Sequence, residues 1–458
     1  MTVPSSAPAV LTRTLRLPSL VLFGLAYLTP LIVLGIFGVI AGESGGASAS
    51  AYLIALVAML FTANSYGRLA AYYPVAGSAY TYVRRAIDGR VGFLVGWAVL
   101  LDYLFLPMVI WLIGGAYLSA QFPGVPGWAW IIAFIVITSA LNIIGIRVAD
   151  RVNFVLMAFQ ILVIGIFVAL SIGSVVGQGG ASALFSSSPF TGEGASLAGI
   201  AGGAAIAAYS FLGFDAVTTL TEETIEPRRT VPKAILLVAL IGGGIFILVA
   251  YVTQLVHPGG TFDAPDSAAF DIAVQIGGNL FGAVFLAALV VAQFTSGLAA
   301  QAAGSRLLFA MGRDGVLPRR VFGRVHPRFH TPMVSIIVVG VVGLLAIFLD
   351  VATSTSFINF GAFIAFAMVN VSVIVEYVAR RRRGERQSVV WHVVAPAIGA
   401  IVILALLVQL DIQAITLGSI WLAIGVVVLA VLTRGFRSVP PEMAVDDVEE
   451  TPVPVASR

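Results

Sequence analysis

Acidic, aromatic and glycine residues interrupt a long apolar stretch at residues 209–223. The stretch reads Tyr-Ser-Phe-Leu-Gly-Phe-Asp-Ala-Val-Thr-Thr-Leu-Thr-Glu-Glu. A carboxyl group at membrane depth, such as that of Asp215, is costly unless it is protonated, paired or hydrated. Irregular backbone is tolerated at that depth only where protein or a water-filled cavity covers it. The stretch therefore predicts a binding site for a solute or an ion inside a membrane protein.

Further polar residues lie within apolar segments. Asp102 falls near the middle of the third such segment, where it either makes a structural hydrogen bond or receives a proton or an ammonium group. Glu222 is a third acceptor, although a structural pair with Arg228 or Arg229 explains it equally well. Thr295 and Ser296 offer hydroxyls to an ion, or they allow close helix packing.

The composition is that of an integral membrane protein. The 458 residues are 59% hydrophobic and 10% charged, against roughly 25% charged in soluble domains, and the mean hydropathy is +1.02. The absence of cysteine excludes disulfides, thiolate metal sites and thiol catalysis. No HExxH or paired-aspartate protease pattern lies in a span. We therefore expect no enzyme activity, no cofactor, no bound metal and no nucleic-acid partner.

About twelve apolar spans are predicted. They start near Ser19, Ala49, Val91, Gly127, Val152, Leu197, Pro232, Gly277, Thr331, Thr355, Val390 and Gln413. With this count every Lys and Arg falls on one side of the membrane. Because basic residues favour the cytoplasmic side, the sequence predicts a multi-pass protein of the cell membrane with both termini in the cytoplasm.

Two spans carry signals of a broken helix. The first contains Pro30 and then Gly35-Ile36-Phe37-Gly38, and the sixth contains Gly213 beside Asp215. Five spans separate their starts, so the two helices run in opposite directions. This arrangement predicts an all-α, five-plus-five inverted repeat with a substrate site between the broken helices 1 and 6, followed by two added C-terminal helices.

The predicted domain plan has a cytoplasmic N-terminal tail, one membrane transporter domain made of two repeats and an added helix pair, and a disordered cytoplasmic C-terminal tail. The corresponding residues are 1–18, 19–433 (with repeats at about 19–175 and 197–378 and added helices at about 390–433) and 434–458.

Several segments together resemble the amino acid–polyamine–organocation (APC) superfamily, and within it the bacterial putrescine importers. They are residues 24–30, 77–82, 101–108, 209–224, 311–314 and 358–362. The resemblance implies a LeuT-like fold, alternating access and uptake coupled to an ion gradient, usually of protons. In related arginine/agmatine exchangers, the position matching Tyr209 is an aromatic that closes over the substrate, and the position matching Asp215 is an acid implicated in the response to protons.

Two positions depart from the patterns of these relatives. Gly35 stands where putrescine importers have an aspartate, and Gly35-Ile36-Phe37 is similar to the Gly-Ile-Phe of amino-acid carriers. Gln160 stands where some proton-coupled relatives have a lysine, and Lys233 is the only lysine in the chain. The substrate class therefore stays open between a diamine, a monoamine and an amino acid.

The sequence predicts import of a small amine-bearing solute, by proton symport and alternating access. An exchanger and a sodium-coupled amino-acid importer are the nearest alternatives, and a channel or a transporter-like sensor is more distant. The proton- or ammonium-binding candidates are Asp102, Asp215 and Glu222, and the possible ion site is Thr295 with Ser296. The expected substrate-binding residues are Gly35, Phe37, Gly38, Tyr103, Tyr209, Ser210, Phe211, Gly213 and Phe214.

Overall fold

The chain folds into a bundle of helices. The computed structural model describes residues 13–75, 78–145, 150–313 and 315–440, without the side chains of 150–153. Its α-helices are α1 (Leu17–Leu28), α2 (Ile32–Gly35), α3 (Phe37–Glu43), α4 (Ser48–Tyr72), α5 (Ala79–Ala86), α6 (Gly89–Gln121), α7 (Gly127–Ile144), α8 (Asp150–Gly179), α9 (Ser188–Thr191), α10 (Leu197–Ala207), α11 (Pro227–Val256), α12 (Ala268–Arg313), α13 (Arg319–Phe322), α14 (Met333–Gly343), α15 (Val351–Arg382), α16 (Ala395–Leu407) and α17 (Ile412–Leu432).

Within these ranges, eleven helices are long and apolar enough to cross a membrane. They correspond to eleven of the predicted spans. The ninth predicted span, near Thr331, is the shorter apolar helix Met333–Ile347. The all-helical membrane fold predicted from the sequence is thus confirmed, with one span shorter than expected.

The first span is broken, as predicted, and the larger break lies before the glycines. Helix α1 ends at Leu28 and is capped by Thr29, whose φ of 50° is left-handed. The following Pro30 has no N–H to continue the helix. A second irregularity falls at Ile36 (φ −123°, ψ 13°), between α2 and α3. The Gly35-Ile36-Phe37-Gly38 motif predicted the position of this second irregularity, and Pro30 predicted the position of the first.

The sixth span is broken as well. After α10 the chain makes a short 3-10 turn at Ala208–Phe211 and an extended residue at Leu212 (ψ 128°). Gly213 is left-handed (φ 97°), and a longer 3-10 segment, Phe214–Glu223, follows. A Cβ atom at Gly213 would overlap the ring of Tyr27 on α1. The glycine therefore provides both the turn and the close approach of the two broken spans.

Polar side chains from unbroken helices support the breaks. The Tyr117 hydroxyl donates to the carbonyl of Leu34 (2.6 Å), and the Asn359 amide donates to the carbonyl of Ala205 (2.8 Å). The hydroxyls of Tyr52 and Ser210 lie 3.1 Å apart. Backbone groups that leave a helix inside a bilayer must find such partners.

The last helix, α17, packs against α6. The indoles of Trp97 on α6 and Trp421 on α17 stack at 5.1 Å, and each donates to the other's backbone carbonyl (2.9 and 2.8 Å). The first part of the predicted N-terminal tail, the C-terminal tail beyond 440 and Asp314 lie outside the described residues.

Candidate functional site

A cavity of about 270 Å³ lies where the two broken spans meet α6, α8 and α12. It is lined by Phe23, Ala26, Tyr27, Leu28, Thr29, Ile32, Asp102, Leu106, Ile110, Leu156, Met157, Gln160, Tyr209, Leu212, Gly213, Gln293, Thr295, Ser296, Ala299, Ala300 and Ala303. We call it the main cavity. Alanines on α12 form one wall and, being small, leave room for the cavity. Residues around the first break form another wall.

A second cavity of about 110 Å³ continues from the main cavity along the 3-10 segment. Its lining includes Tyr66, Tyr103 and Asp215, together with Thr218 and Thr219. The two cavities share Phe23, Tyr27, Asp102, Leu212 and Gly213. They therefore form two parts of one internal space, and we call the smaller part the side cavity.

Acidic side chains carry the formal charges in this space. Asp102 lines both cavities and Asp215 lines the side cavity, whereas neither lining contains a Lys, Arg or His among the described residues. The Oδ1 atom of Asp102 is buried without a hydrogen-bond partner in the described part of the chain. In a native structure a proton, a water molecule, an ion or a ligand satisfies such an atom. The space is therefore suited to a cation.

A ladder of threonine hydroxyls runs along the 3-10 segment beside Asp215. Thr218 donates to the carbonyl of Asp215 (2.7 Å), Thr221 donates to that of Thr218 (2.6 Å), and Thr224 donates to that of Leu220 (2.7 Å). These bonds satisfy carbonyls that a regular α-helix would pair with backbone N–H groups. The threonine-rich sequence thus stabilises the unusual backbone that presents Asp215.

The structure brings together seven of the residues expected at the site. Tyr209, Thr295 and Ser296 line the main cavity, while Tyr103 and Asp215 line the side cavity. Asp102 and Gly213 line both.

The other expected residues lie outside both linings. The ring of Phe211 packs on Phe246, with centroids 5.2 Å apart, and that of Phe214 packs on Tyr66 (5.6 Å). Ser210 is joined to Tyr52 as described above, and Glu222 lies near the end of the 3-10 segment.

Gly35, Phe37 and Gly38 lie beyond the far end of the main cavity. Phe37 packs edge-on against Phe262 (6.0 Å), and a Cβ atom at Gly38 would overlap the carbonyl of Pro265. This half of the first span is buried. In this conformation none of these three residues lines the space.

Among the lining residues that the sequence did not single out as site residues are Tyr27, Tyr66 and Gln293. The two tyrosines lie in apolar helices, and nothing in their spacing separates them from core aromatics. Gln293 carried a usable signal, because it recurs with Ser296, Ala300 and Ala303 at helical spacing on α12. A polar residue on that face of an apolar helix marks the side that meets the cavity.

The sequence matches the Amino acid permease family over residues 19–433. It is 40% identical to the low-affinity putrescine importer PlaP of Escherichia coli K12, over 96% of this chain and 98% of that protein. It is 26% identical to the branched-chain amino acid permease BcaP of Bacillus subtilis, over 94% and 95%. Mouse cationic amino acid transporter 4 is 30% identical, over 81% of this chain and 61% of that protein.

These relatives are transporters and not enzymes, in agreement with the expectation from composition and motifs. The family match spans the whole helical bundle, including both broken spans and both acids of the internal space. This chain belongs to the amino acid permease family of the APC superfamily.

Proposed function

We propose that the protein imports a small amine-bearing solute, of the putrescine type, by proton symport through alternating access. The observation that carries the proposal is the charge of the internal space, which has two carboxyl groups in its walls and no basic side chain among the described lining residues. A primary ammonium group supplies three N–H donors to such acceptors. The similarity to a putrescine importer over nearly the full chain supports the same substrate class.

An amino acid is the second candidate substrate. The likeness to a branched-chain amino acid permease favours it, as does the Gly-Ile-Phe sequence at residues 35–37. Its carboxylate needs N–H donors or a cationic side chain, and the described lining provides no cation. The charge of the space therefore favours the amine.

The coupling proton would be carried by Asp102 or Asp215, since a buried carboxyl group either takes a proton or faces a cation. Sodium is the alternative coupling ion. The Thr295 hydroxyl donates to the carbonyl of Val291 (2.9 Å) within its own helix, so its oxygen keeps a lone pair for an ion, and Ser296 lines the same cavity. Glu222 would bind the proton or the ammonium group outside the cavity lining, near the end of the 3-10 segment.

The positive-inside pattern supports an orientation for the protein in the membrane. We infer that the termini are cytoplasmic and that the protein resides in the cell membrane. The cavities lie on the Leu17 side of the first break, while Phe37, Phe262 and Pro265 close the other side. The described conformation would then be the inward-facing one, from which the solute leaves for the cytoplasm.

Uptake of radiolabelled putrescine into proteoliposomes tests the proposal. An inward proton gradient should drive accumulation, a protonophore should abolish it, and Asp215→Asn should remove it. Asp263→Asn, an exposed acid in a connector, is the matched control and should transport like the wild type. Uptake driven by a sodium gradient alone would show that sodium, and not the proton, is the coupling ion. Exchange of an α-amino acid without putrescine uptake would reject the amine as the substrate.

A further inference from the structure

Two glutamine side chains lie in the wall of the main cavity, Gln160 on α8 and Gln293 on α12. Their exposed fractions are 8% and 3%. The Oε1 atom of Gln160 is buried without a hydrogen-bond partner in the part of the chain that the structure describes. Because an unpaired amide oxygen inside a protein is unfavourable, this position lacks a donor group.

The two glutamines lie at nearly the same depth. Phe167 on α8 contacts Phe285 on α12, with ring centroids 5.9 Å apart. Gln160 precedes Phe167 by seven residues and Gln293 follows Phe285 by eight. Since α8 and α12 run in opposite directions along the cavity, both side chains lie about two helical turns from the phenylalanine contact, on the same side of it.

Asp102 is far from this pair along the cavity. A Cβ atom at Gly114 on α6 would lie 3.5 Å from the Cβ of Gln293, so Gly114 and Gln293 share a level. Asp102 precedes Gly114 by twelve residues on the same helix, which corresponds to about 18 Å along its axis. The amide pair and the carboxyl group therefore mark opposite ends of the main cavity.

We propose that the amides of Gln160 and Gln293 form an uncharged subsite that binds a primary ammonium group at the end of the main cavity remote from Asp102. The proposal rests on the amine substrate proposed above. Amide oxygens accept N–H bonds without a charge of their own, so they hold a cation less tightly than a carboxylate does. The separation exceeds the length of a four-carbon diamine, and the solute therefore occupies the amide end and the Asp102 end in succession.

A substitution series at Gln160 tests the subsite by binding of radiolabelled putrescine to the purified full-length protein. Gln160→Leu removes the acceptor and should weaken binding about tenfold, the effect of losing a hydrogen bond to a charged group. Gln160→Lys adds a like charge and should abolish binding. Gln160→Glu keeps the acceptor and should bind at least as tightly as the wild type. The same order is expected at Gln293.

Thermal unfolding of each variant shows whether a loss of binding reflects a loss of folding. If a Gln160 variant does not fold, the corresponding Gln293 variant tests the subsite. Gln178→Leu, on the exposed end of the same helix α8, should bind like the wild type. Equal losses for the Leu and Glu variants, or no loss in the Leu and Lys variants, would overturn the ammonium subsite. A wild-type protein that binds no putrescine would instead overturn the proposed function on which the subsite rests.

Discussion

Asp102 is the acid that touches both parts of the internal space, and its Oδ1 atom has no partner among the described residues. A carboxyl group that served only to join two helices would direct its oxygens at neighbouring donors. An oxygen left unpaired is available to a proton or to an ammonium group, at a cost to the stability of the empty protein.

Asp102→Asn should therefore weaken putrescine binding by about ten- to a hundredfold, the range for a hydrogen bond to a charged group, without lowering the melting temperature. Equilibrium binding and thermal unfolding of the same purified sample measure the two effects. The opposite result, a lower melting temperature with unchanged affinity, would identify Asp102 as a structural residue.

At the level of single residues, the sequence located the acids because a charge inside an apolar span has few explanations. Asp102 and Asp215 were found in this way. Tyr27 and Gln293 were not singled out, because an aromatic or an amide in a membrane helix fits a packed core equally well. Only the fold shows which face of each helix meets the cavity.

The broken spans are the elements that make the site. Each break exposes backbone that a continuous helix would hide, and Gly213 allows the second break to press against the first through Tyr27. Proline and glycine made both breaks predictable. The left-handed Thr29 was not predicted, because threonine does not mark a helix end in the way glycine does.

Gly213→Ala should destabilise the protein, because a left-handed alanine costs about 1–2 kcal/mol and its Cβ would also overlap Tyr27. We expect a lower melting temperature and strongly reduced uptake. Gly244→Ala is the matched control, since Gly244 lies within α11 and a Cβ there meets no atom within 4 Å.

A second substitution identifies the cause. Tyr27→Ala in the Gly213→Ala background removes the overlapping ring and should recover part of the lost stability, which a double-mutant cycle measures as a coupling between the two positions. Strictly additive effects would show that the left-handed backbone alone makes glycine necessary.

At the scale of the whole molecule, the division into two repeats and an added helix pair stays a prediction. Charge and hydropathy predicted about twelve spans, of which eleven are long enough to cross a membrane in the described part of the chain and the ninth is shorter. They did not predict which conformation of the transport cycle the chain adopts, because both conformations bury the same spans. The contacts of Phe37 and Gly38 with the segment around Phe262 and Pro265 support the inward-facing conformation proposed above.

The chain contains no cysteine, so single cysteines can report which side of the membrane reaches the cavity. The substitution Ala300→Cys lies in the wall of the main cavity, and a membrane-impermeant thiol reagent should label it from the cytoplasmic side only. Putrescine should slow the labelling, since the solute occupies the same space. The substitution Val39→Cys, in the buried half of the first span, should react slowly from either side.

Exposed positions fix the orientation independently of the cavity. Ser182→Cys, after the fifth span, should be labelled in right-side-out vesicles, and Ser438→Cys, after the last span, in inside-out vesicles. If these controls behave so and the Ala300→Cys variant is labelled from outside, the resting protein faces outward. If the two controls are reversed, the positive-inside orientation is wrong, and the assignment of the described conformation as inward-facing fails with it. Labelling of the Ala300→Cys and Ser438→Cys variants from the same side would support release of the solute toward the termini.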